Sequence, residues 1–243
     1  QVKVDVFPLK NTFTISRGSR NQAEVLTVSI HENGITGYGE CVPYARYNET
    51  IESVSKQIKS IKFINRLDLQ KVLPPGAARN ALDCALWDLE AKKNKTTAYQ
   101  IAKLKKPLPV LTAYTLSLDD PIKMGKQAKI NSFRHLLKIK LGGGNLDFER
   151  IKEVKNNAPN SSIIVDANEG WTIDEYEFMA PKLQNLGVKM VEQPLPSSND
   201  EALLGVKRTL PVCADESCHD RKSLDKCLGK YDLINIKLDK TGG

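Results

Sequence analysis

The chain has 243 residues, 40% of them hydrophobic, and a formal net charge of +7. That is enough for one large core or two smaller ones. It contains no run of 18 apolar residues to cross a bilayer, and its 36 lysines and arginines are scattered without interleaved aromatics, which argues against membrane and nucleic-acid partners. The five cysteines (Cys41, Cys84, Cys213, Cys218 and Cys227) are odd in number and show no CxxC spacing. A disulfide framework and a zinc site are both disfavoured, even though Cys213 and Cys218 flank Asp215. QVKVDVFPLK lacks the apolar stretch of a signal peptide, so reduced thiols in a cytoplasmic protein are expected.

In chain order, VKVDVF alternates apolar and polar residues as a strand does. FTISRGSRNQ, with Gly18 and two arginines, reads as an exposed polar loop. AEVLTVSI and ITGYGE, on either side of HENG, read as a hairpin with a glycine turn. In NETIESVSKQIKSIKFI, Ile51, Val54, Ile58 and Ile61 follow helical spacing, and PPGAARNALDCALWDLEAKK is the clearest helix signal in the chain. Residues 1–106 are therefore expected to form a mixed α and β domain.

From residue 107 to residue 243 the pattern alternates. LPVLTAYTLSL, RHLLKIKL, SSIIVDAN, VKMVEQP, PVCADES and YDLINIKLDK read as strands. PIKMGKQAKINSF, NLDFERIKEVKNNA, TIDEYEFMAPKLQNLG, NDEALLGVKRT and RKSLDKCLGK read as the helices between them. Such a β(αβ)5 series predicts parallel strands with right-handed crossovers, six strands of a TIM-type (β/α)8 barrel. Six strands leave two unpaired edges, so further chain, from this polypeptide or another, is expected to complete the barrel.

Lys140, Asp166, Glu192, Asp215 and Lys237 recur along this region at steps of 26, 26, 23 and 22 residues, each about one strand–helix unit. Each lies in or just after a strand pattern, which places all five on the C-terminal rim where barrel active sites are built. Asp166, Glu192 and Asp215 form an oxygen-only set suited to Mg2+. Lys138 shares a strand face with Lys140, one layer deeper, and adds a like charge beside it. Lys237 is expected to face Lys140 across the barrel mouth. Two opposed lysines with a metal between them point to removal of a proton α to a carboxylate, through a metal-stabilised enolate, and its return on the other face. The product is an epimer.

KIK, VDANEGW, VEQPLP, ADESCHDR and INIKLDKTGG, together with ISRGSR, GYGECVPYARY and GAARNALDCALWDLEAK, resemble the dipeptide epimerases of the muconate-lactonizing branch of the enolase superfamily. The resemblance covers essentially the whole chain. It implies a Mg2+-dependent two-lysine epimerisation of a dipeptide of the L-Ala–L-Glu/L-Ala–D-Glu type. It makes residues 1–106 a capping domain whose loops close over the substrate's side chain. It places Arg17 at the position that meets an acidic substrate side chain, with Arg20 as second candidate. Thr115 and Lys138 become substrate contacts, and Tyr44 and Tyr47 possible pocket residues. It also implies two more barrel strands with an Asp-x-Asp element for the dipeptide's ammonium group. Competing readings are an o-succinylbenzoate synthase-like dehydration with the same lysines and metal, and an inactive metal-binding barrel fragment. Oligomeric state is left open, a homo-oligomer included.

Overall fold

The computed structural model describes residues 1–62 and 65–243. Val2–Ile15 forms β1 and Gly18–Glu32 forms β2, with a turn at Ser16 and Arg17 between them. The segment expected as a polar loop is thus the tip of a long hairpin. Phe13, Thr14 and Ile15 are aromatic or β-branched and favour extended backbone, and Thr12 Oγ1 donates to Asn21 Oδ1 across it at 2.7 Å. β2 pairs antiparallel with β3 (Ile35–Cys41). Asn33 and Gly34 link them with φ of 49° and 78°, the left-handed pair that a two-residue hairpin turn needs.

A capping box between Thr50 and Ser53 opens α1 (Ile51–Ser60). Phe63 and Ile64, the end of the helix expected there, lie outside the described residues. α2 (Arg66–Val72), α3 (Ala77–Lys93) and α4 (Ala98–Ile101) follow. α2 and α4 span too few turns for their periodicity to show in the sequence. Leu26, Val28, Cys41, Val54, Ile58, Leu69 and the alanines of α3 form one core. α3 lies flat on β3 because Gly37 and Gly39 have no side chain: a Cβ on either would overlap the backbone of Ala85 or Ala81.

The second half continues as β4 (Tyr114–Leu116), α5 (Pro121–Ile130), β5 (Leu136–Lys140), α6 (Asp147–Asn157), β6 (Ser162–Asp166), α7 (Ile173–Asn185), β7 (Val188–Glu192), β8 (Val212–Ala214), α8 (Leu224–Cys227), β9 (Leu233–Ile234) and α9 (Leu238–Thr241). The six strands β4 to β9 form one sheet in sequential order, every pair parallel. Leu137, Ile139, Ile163, Val165, Val188 and Val191 point to one face, where Met124, Ile151, Val154, Tyr176 and Leu183 cover them. Alternation sends Lys138, Lys140 and Asp166 to the other face.

Four elements are shorter than expected. β4 pairs only three residues with β5, and Leu108 and Val110 before it are 81% and 86% exposed. The helix expected over residues 199–209 is a 3-10 turn at Glu201–Gly205; the carboxylate of Asp200 does not cap it, being taken by Lys230, Ser217 and Tyr231. The helix expected over 221–230 is a 3-10 turn followed by the single-turn α8. The last expected strand pairs only Leu233 and Ile234 with β8, and the chain then turns into α9. Among the described residues, β4 and β9 are the edges of the sheet and each pairs with one strand of it.

By compactness, Gln1–Leu9, Gln22–Pro109 and Ile236–Gly243 make one unit, and Lys10–Asn21 with Val110–Asn235 make another. In the first, Arg79 donates to the carbonyls of Thr241 and Gly242, and Asn80 donates to Asp239, which ties α9 to α3. In the second, the hairpin tip is held by Thr14, which bonds Ser117 and Leu118 just after β4.

Candidate active site

The parallel register sets Lys140 opposite Asp166 and Asp166 opposite Glu192. A bulge in β7 makes the second pairing: Ile163 pairs with Val188 but Val165 with Val191, so β7 carries one extra residue. Glu192 in turn pairs with Cys213, and Asp215 follows two residues later on the same face. One carboxylate oxygen from each of Asp166, Glu192 and Asp215 lies within 4.8 Å of the others. The three residues are 0%, 2% and 1% exposed.

Burial of three carboxylates together is costly unless they are paired. Lys138 Nζ meets Glu192 Oε2 at 2.6 Å and Asp166 Oδ2 at 2.9 Å, and Lys140 Nζ meets Asp166 Oδ2 at 2.6 Å. Asp166 Oδ1 accepts from the Asn168 N–H at 2.9 Å, and Glu192 Oε1 accepts from Asn235 Nδ2 at 3.0 Å. Burial raises the pKa of Asp166, but Lys138 and Lys140 more than cancel it and hold the group below the usual range. Glu192 lies above its usual range, through burial and then the charge of Asp166, which Lys138 does not offset. For Lys138 burial favours the neutral form, yet Asp166 and Glu192 outweigh it and keep the ammonium charged. Cys213, beneath the cluster, is pushed up to about 12 by burial and the Glu192 charge. The donor set is all carboxylate oxygen, buried and convergent, and fits a small hard cation.

Thr115 stands next to Lys138 in the β4–β5 register, on the same face. Arg17, at the hairpin tip, donates from Nη1 to the Asn168 carbonyl at 2.9 Å and to Glu169 at 3.1 Å, and from Nη2 to Glu216 at 2.7 Å. Arg20 stacks over Phe13, 5.5 Å from the ring centroid. Tyr44 and Tyr47 pack edge to face on each other in the first unit, ring centroids 5.6 Å apart. Lys237 also belongs to the first unit's segment, as the extended residue before α9, its carbonyl accepting from Lys240 and Thr241.

Sequence reasoning passed over several residues at this site. Gln193 bonds the backbone N–H groups of Asp215 and Ser217. Asn235 holds Glu192, and its position two residues before Lys237 was a usable signal. Asp147 accepts from the N–H groups of Gly142 and Gly143 and from the Trp171 indole, joining the loops after β5 and β6. Glu216, next to Asp215, is buried, and its Oε2 has no hydrogen-bond partner among the described residues.

Residues 1–102 match the N-terminal domain of the mandelate racemase/muconate lactonizing enzymes, and residues 123–243 match the enolase C-terminal domain-like family. The chain is 44% identical to L-Ala-D/L-Glu epimerase of Escherichia coli K12, over 98% of this chain and 76% of that protein. It is 41% identical to N-acetyl-D-glutamate racemase of a Pseudoalteromonas species, over 90% and 71%. Among solved structures, an enolase family member from Agrobacterium tumefaciens with homology to dipeptide epimerases, bound to sodium and L-Ala-L-Glu, superposes with a TM-score of 0.96 at 44% identity, covering 100% of this chain and 76% of that one. The dipeptide epimerase of Enterococcus faecalis V583, complexed with Mg and L-Leu-L-Tyr, gives 0.92 at 30% identity, covering 100% and 75%. With both halves matched and the carboxylates aligned across successive parallel strands, the chain belongs to the mandelate racemase/muconate lactonizing enzyme family of the enolase superfamily.

Proposed function

We propose that this chain carries out a Mg2+-dependent epimerisation of a dipeptide of the L-Ala–L-Glu type, removing the α-proton of the glutamate residue and returning it from the other face. The observation that carries the reading is the convergence of Asp166, Glu192 and Asp215 beside Lys138 and Lys140, in a chain 44% identical to an L-Ala-D/L-Glu epimerase. The three carboxylates would hold the cation, whose charge favours the negative form of the substrate as its α-proton leaves. Lys140 moves the proton on one face of the α-carbon and Lys237 on the other. Lys138, kept charged by its two carboxylate partners, is assigned with Thr115 to the substrate's carboxylate.

Arg17 already serves Glu169, Glu216 and the Asn168 carbonyl, so we assign it to holding the hairpin tip against the loops after β6 and β8. Arg20 makes no ion pair among the described residues, and the acidic side chain of the substrate is assigned to it ahead of Arg17.

A second reading is racemisation of an N-acylated glutamate, favoured by 41% identity to N-acetyl-D-glutamate racemase. A dipeptide ending in glutamate is itself an N-acylglutamate, so both readings need the same proton transfer. The relatives named above include an epimerase and a racemase, which favours proton transfer over an o-succinylbenzoate synthase-like dehydration.

We also infer that the six-stranded sheet is part of a (β/α)8 barrel domain over 107–243, with 1–106 as its capping domain. The compact units support the division by breaking at Pro109, although they assign 10–21 and 236–243 the other way. A cytoplasmic location is supported by five free cysteines, and no helix among the described residues is long and apolar enough to cross a membrane.

The test is proton NMR in deuterated buffer with Mg2+, offering L-Ala-L-Glu and N-acetyl-D-glutamate separately. The expected result is loss of the glutamate α-proton signal with appearance of L-Ala-D-Glu. Exchange on N-acetyl-D-glutamate alone moves the assignment to the second reading. No exchange on either substrate overturns both.

A further inference from the structure

We propose that Gln193 is a positioning residue that fixes the ends of β6, β7 and β8 relative to one another and thereby sets the cation affinity of the three carboxylates; this rests on the reading that Asp166, Glu192 and Asp215 hold one divalent cation. Gln193 follows Glu192 directly, is fully buried, and has a φ of 36°, in the left-handed region that residues other than glycine rarely occupy. Such a conformation persists only where the surroundings over-determine it, and here every polar group of the residue is engaged.

Its N–H donates to the Cys213 carbonyl at 2.8 Å, and its carbonyl accepts from the Glu169 N–H at 2.9 Å. Its side-chain Oε1 accepts from the backbone N–H groups of Asp215 at 2.9 Å and Ser217 at 3.1 Å. Nε2 lies 2.9 Å from the Leu195 carbonyl and 2.8 Å from both Ser217 Oγ and Tyr231 Oη. Those two hydroxyls donate onward to Asp200 Oδ2 at 2.6 and 2.8 Å, and Lys230 Nζ holds Asp200 Oδ1 at 2.6 Å. The amide is thus oriented from behind by a charged, buried anchor while its oxygen grips the backbone of Asp215.

The consequence is geometric. Asp166 is joined to Gln193 through the short loop ending at Glu169, Glu192 by the chain itself, and Asp215 by its own N–H. An apolar side chain at 193 leaves the Asp215 and Ser217 N–H groups buried without an acceptor, so the β8 end must shift. Groups behind the direct ligands of a metal site typically change its affinity about ten- to a hundredfold when lost.

The experiment uses the full chain stripped of metal, with Mn2+ as the probe and free Mn2+ read by electron paramagnetic resonance. Melting in chelator is recorded separately for each variant. Wild type is expected to bind one Mn2+ and Asp215→Asn to lose it. Gln193→Met, folded at the assay temperature, is expected to raise Kd about tenfold or more. Tyr231→Phe, which removes one anchor of the amide, is expected to raise it by less. A folded Gln193→Met with wild-type Kd and only a lower melting temperature overturns the proposal, since loss of stability alone does not alter the affinity of the folded protein. If Gln193→Met does not fold, Tyr231→Phe decides: a raised Kd supports the role and an unchanged one overturns it. Failure of wild type to bind Mn2+ sinks the underlying site assignment instead, an outcome distinct from wild type and variants binding alike.

Discussion

Asp166 has no exposed surface, and Lys138, Lys140 and the Asn168 N–H surround its carboxylate. The role proposed for its neighbour Lys140 can be isolated by a pair of variants. Replacing Lys140 or Lys237 by alanine should abolish epimerisation, a loss of about a hundredfold or more for a general base. Each variant should still exchange the α-proton of the one substrate configuration whose proton faces the surviving lysine. Proton NMR in deuterated buffer reads this directly, and symmetrical exchange in both variants would contradict the two-face assignment. The two hairpin arginines separate in the same way. Arg20→Ala should lose about ten- to a hundredfold on L-Ala-L-Glu relative to L-Ala-L-Leu, the worth of a charge-assisted bond. Arg17→Ala, which frees Glu216 and Glu169, should slow both dipeptides alike. A selective loss in Arg17→Ala would transfer the role to that residue. The convergence of Lys138, Lys140, Asp166, Glu192 and Asp215 was legible in the sequence because each lies in or just after an apolar strand run, where a charge stands out. Gln193 was not, and Asn235 was marked only by its place two residues before Lys237. A neutral amide leaves no charge signature, and their partners lie 22 and 43 residues away.

At the scale of elements, legibility followed length and pairing. α3 and the hairpin turn at Asn33-Gly34 were visible because many residues repeat one period, or because two adjacent residues demand one backbone region. β4, β9 and the 3-10 turns departed from expectation because edge position and the capture of Asp200 by Lys230 are tertiary facts. The contact of α3 with β3 makes a further prediction. A methyl group on Gly39 would overlap the carbonyl of Ala81 and crowd the Ala85 nitrogen, both backbone atoms that no side-chain rotation can move. Gly39→Ala should therefore destabilise the fold by about 1–3 kcal/mol. Urea denaturation measures it, and a wild-type midpoint would show that α3 can lift off β3 without cost.

For the molecule as a whole, a cation bound only by the folded state stabilises it by mass action. At a hundred times its Kd, Mg2+ should contribute about 2.7 kcal/mol, or about 5–10 °C in melting temperature for a chain of this size. Asp215→Asn should show no such shift. The effect should also depend on pH in a definite sense. Metal binding needs the carboxylates ionised. Glu192 holds its proton to higher pH than its ordinary 4.5, whereas Asp166 releases it lower than usual. The Mg2+-induced shift should therefore be full well above 4.5 and shrink as pH falls through the raised value of Glu192, before Asp166 takes up a proton. Melting curves with Mg2+ and with chelator across this range check it. A shift that holds constant down to pH 4 would remove Glu192 from the ligand set.

The register of the sheet separates what this molecule can change from what it cannot. Leu141 donates to the Asp166 carbonyl, Ala167 to that of Glu192 and Gln193 to that of Cys213, so the line from Lys140 through Asp166 to Glu192 is drawn by main-chain bonds that are indifferent to residue type. Inserting one residue within β6 would turn Asp166 toward the apolar layer and erase the line at a stroke. Substitutions at Arg20 or elsewhere in the hairpin tip leave every one of those bonds intact. On the proposed assignment, recognition at the Arg20 position is free to drift by point substitution, whereas the backbone frame of the site is exposed chiefly to insertion and deletion, and to loss of the Gln193 amide that holds the Asp215 end.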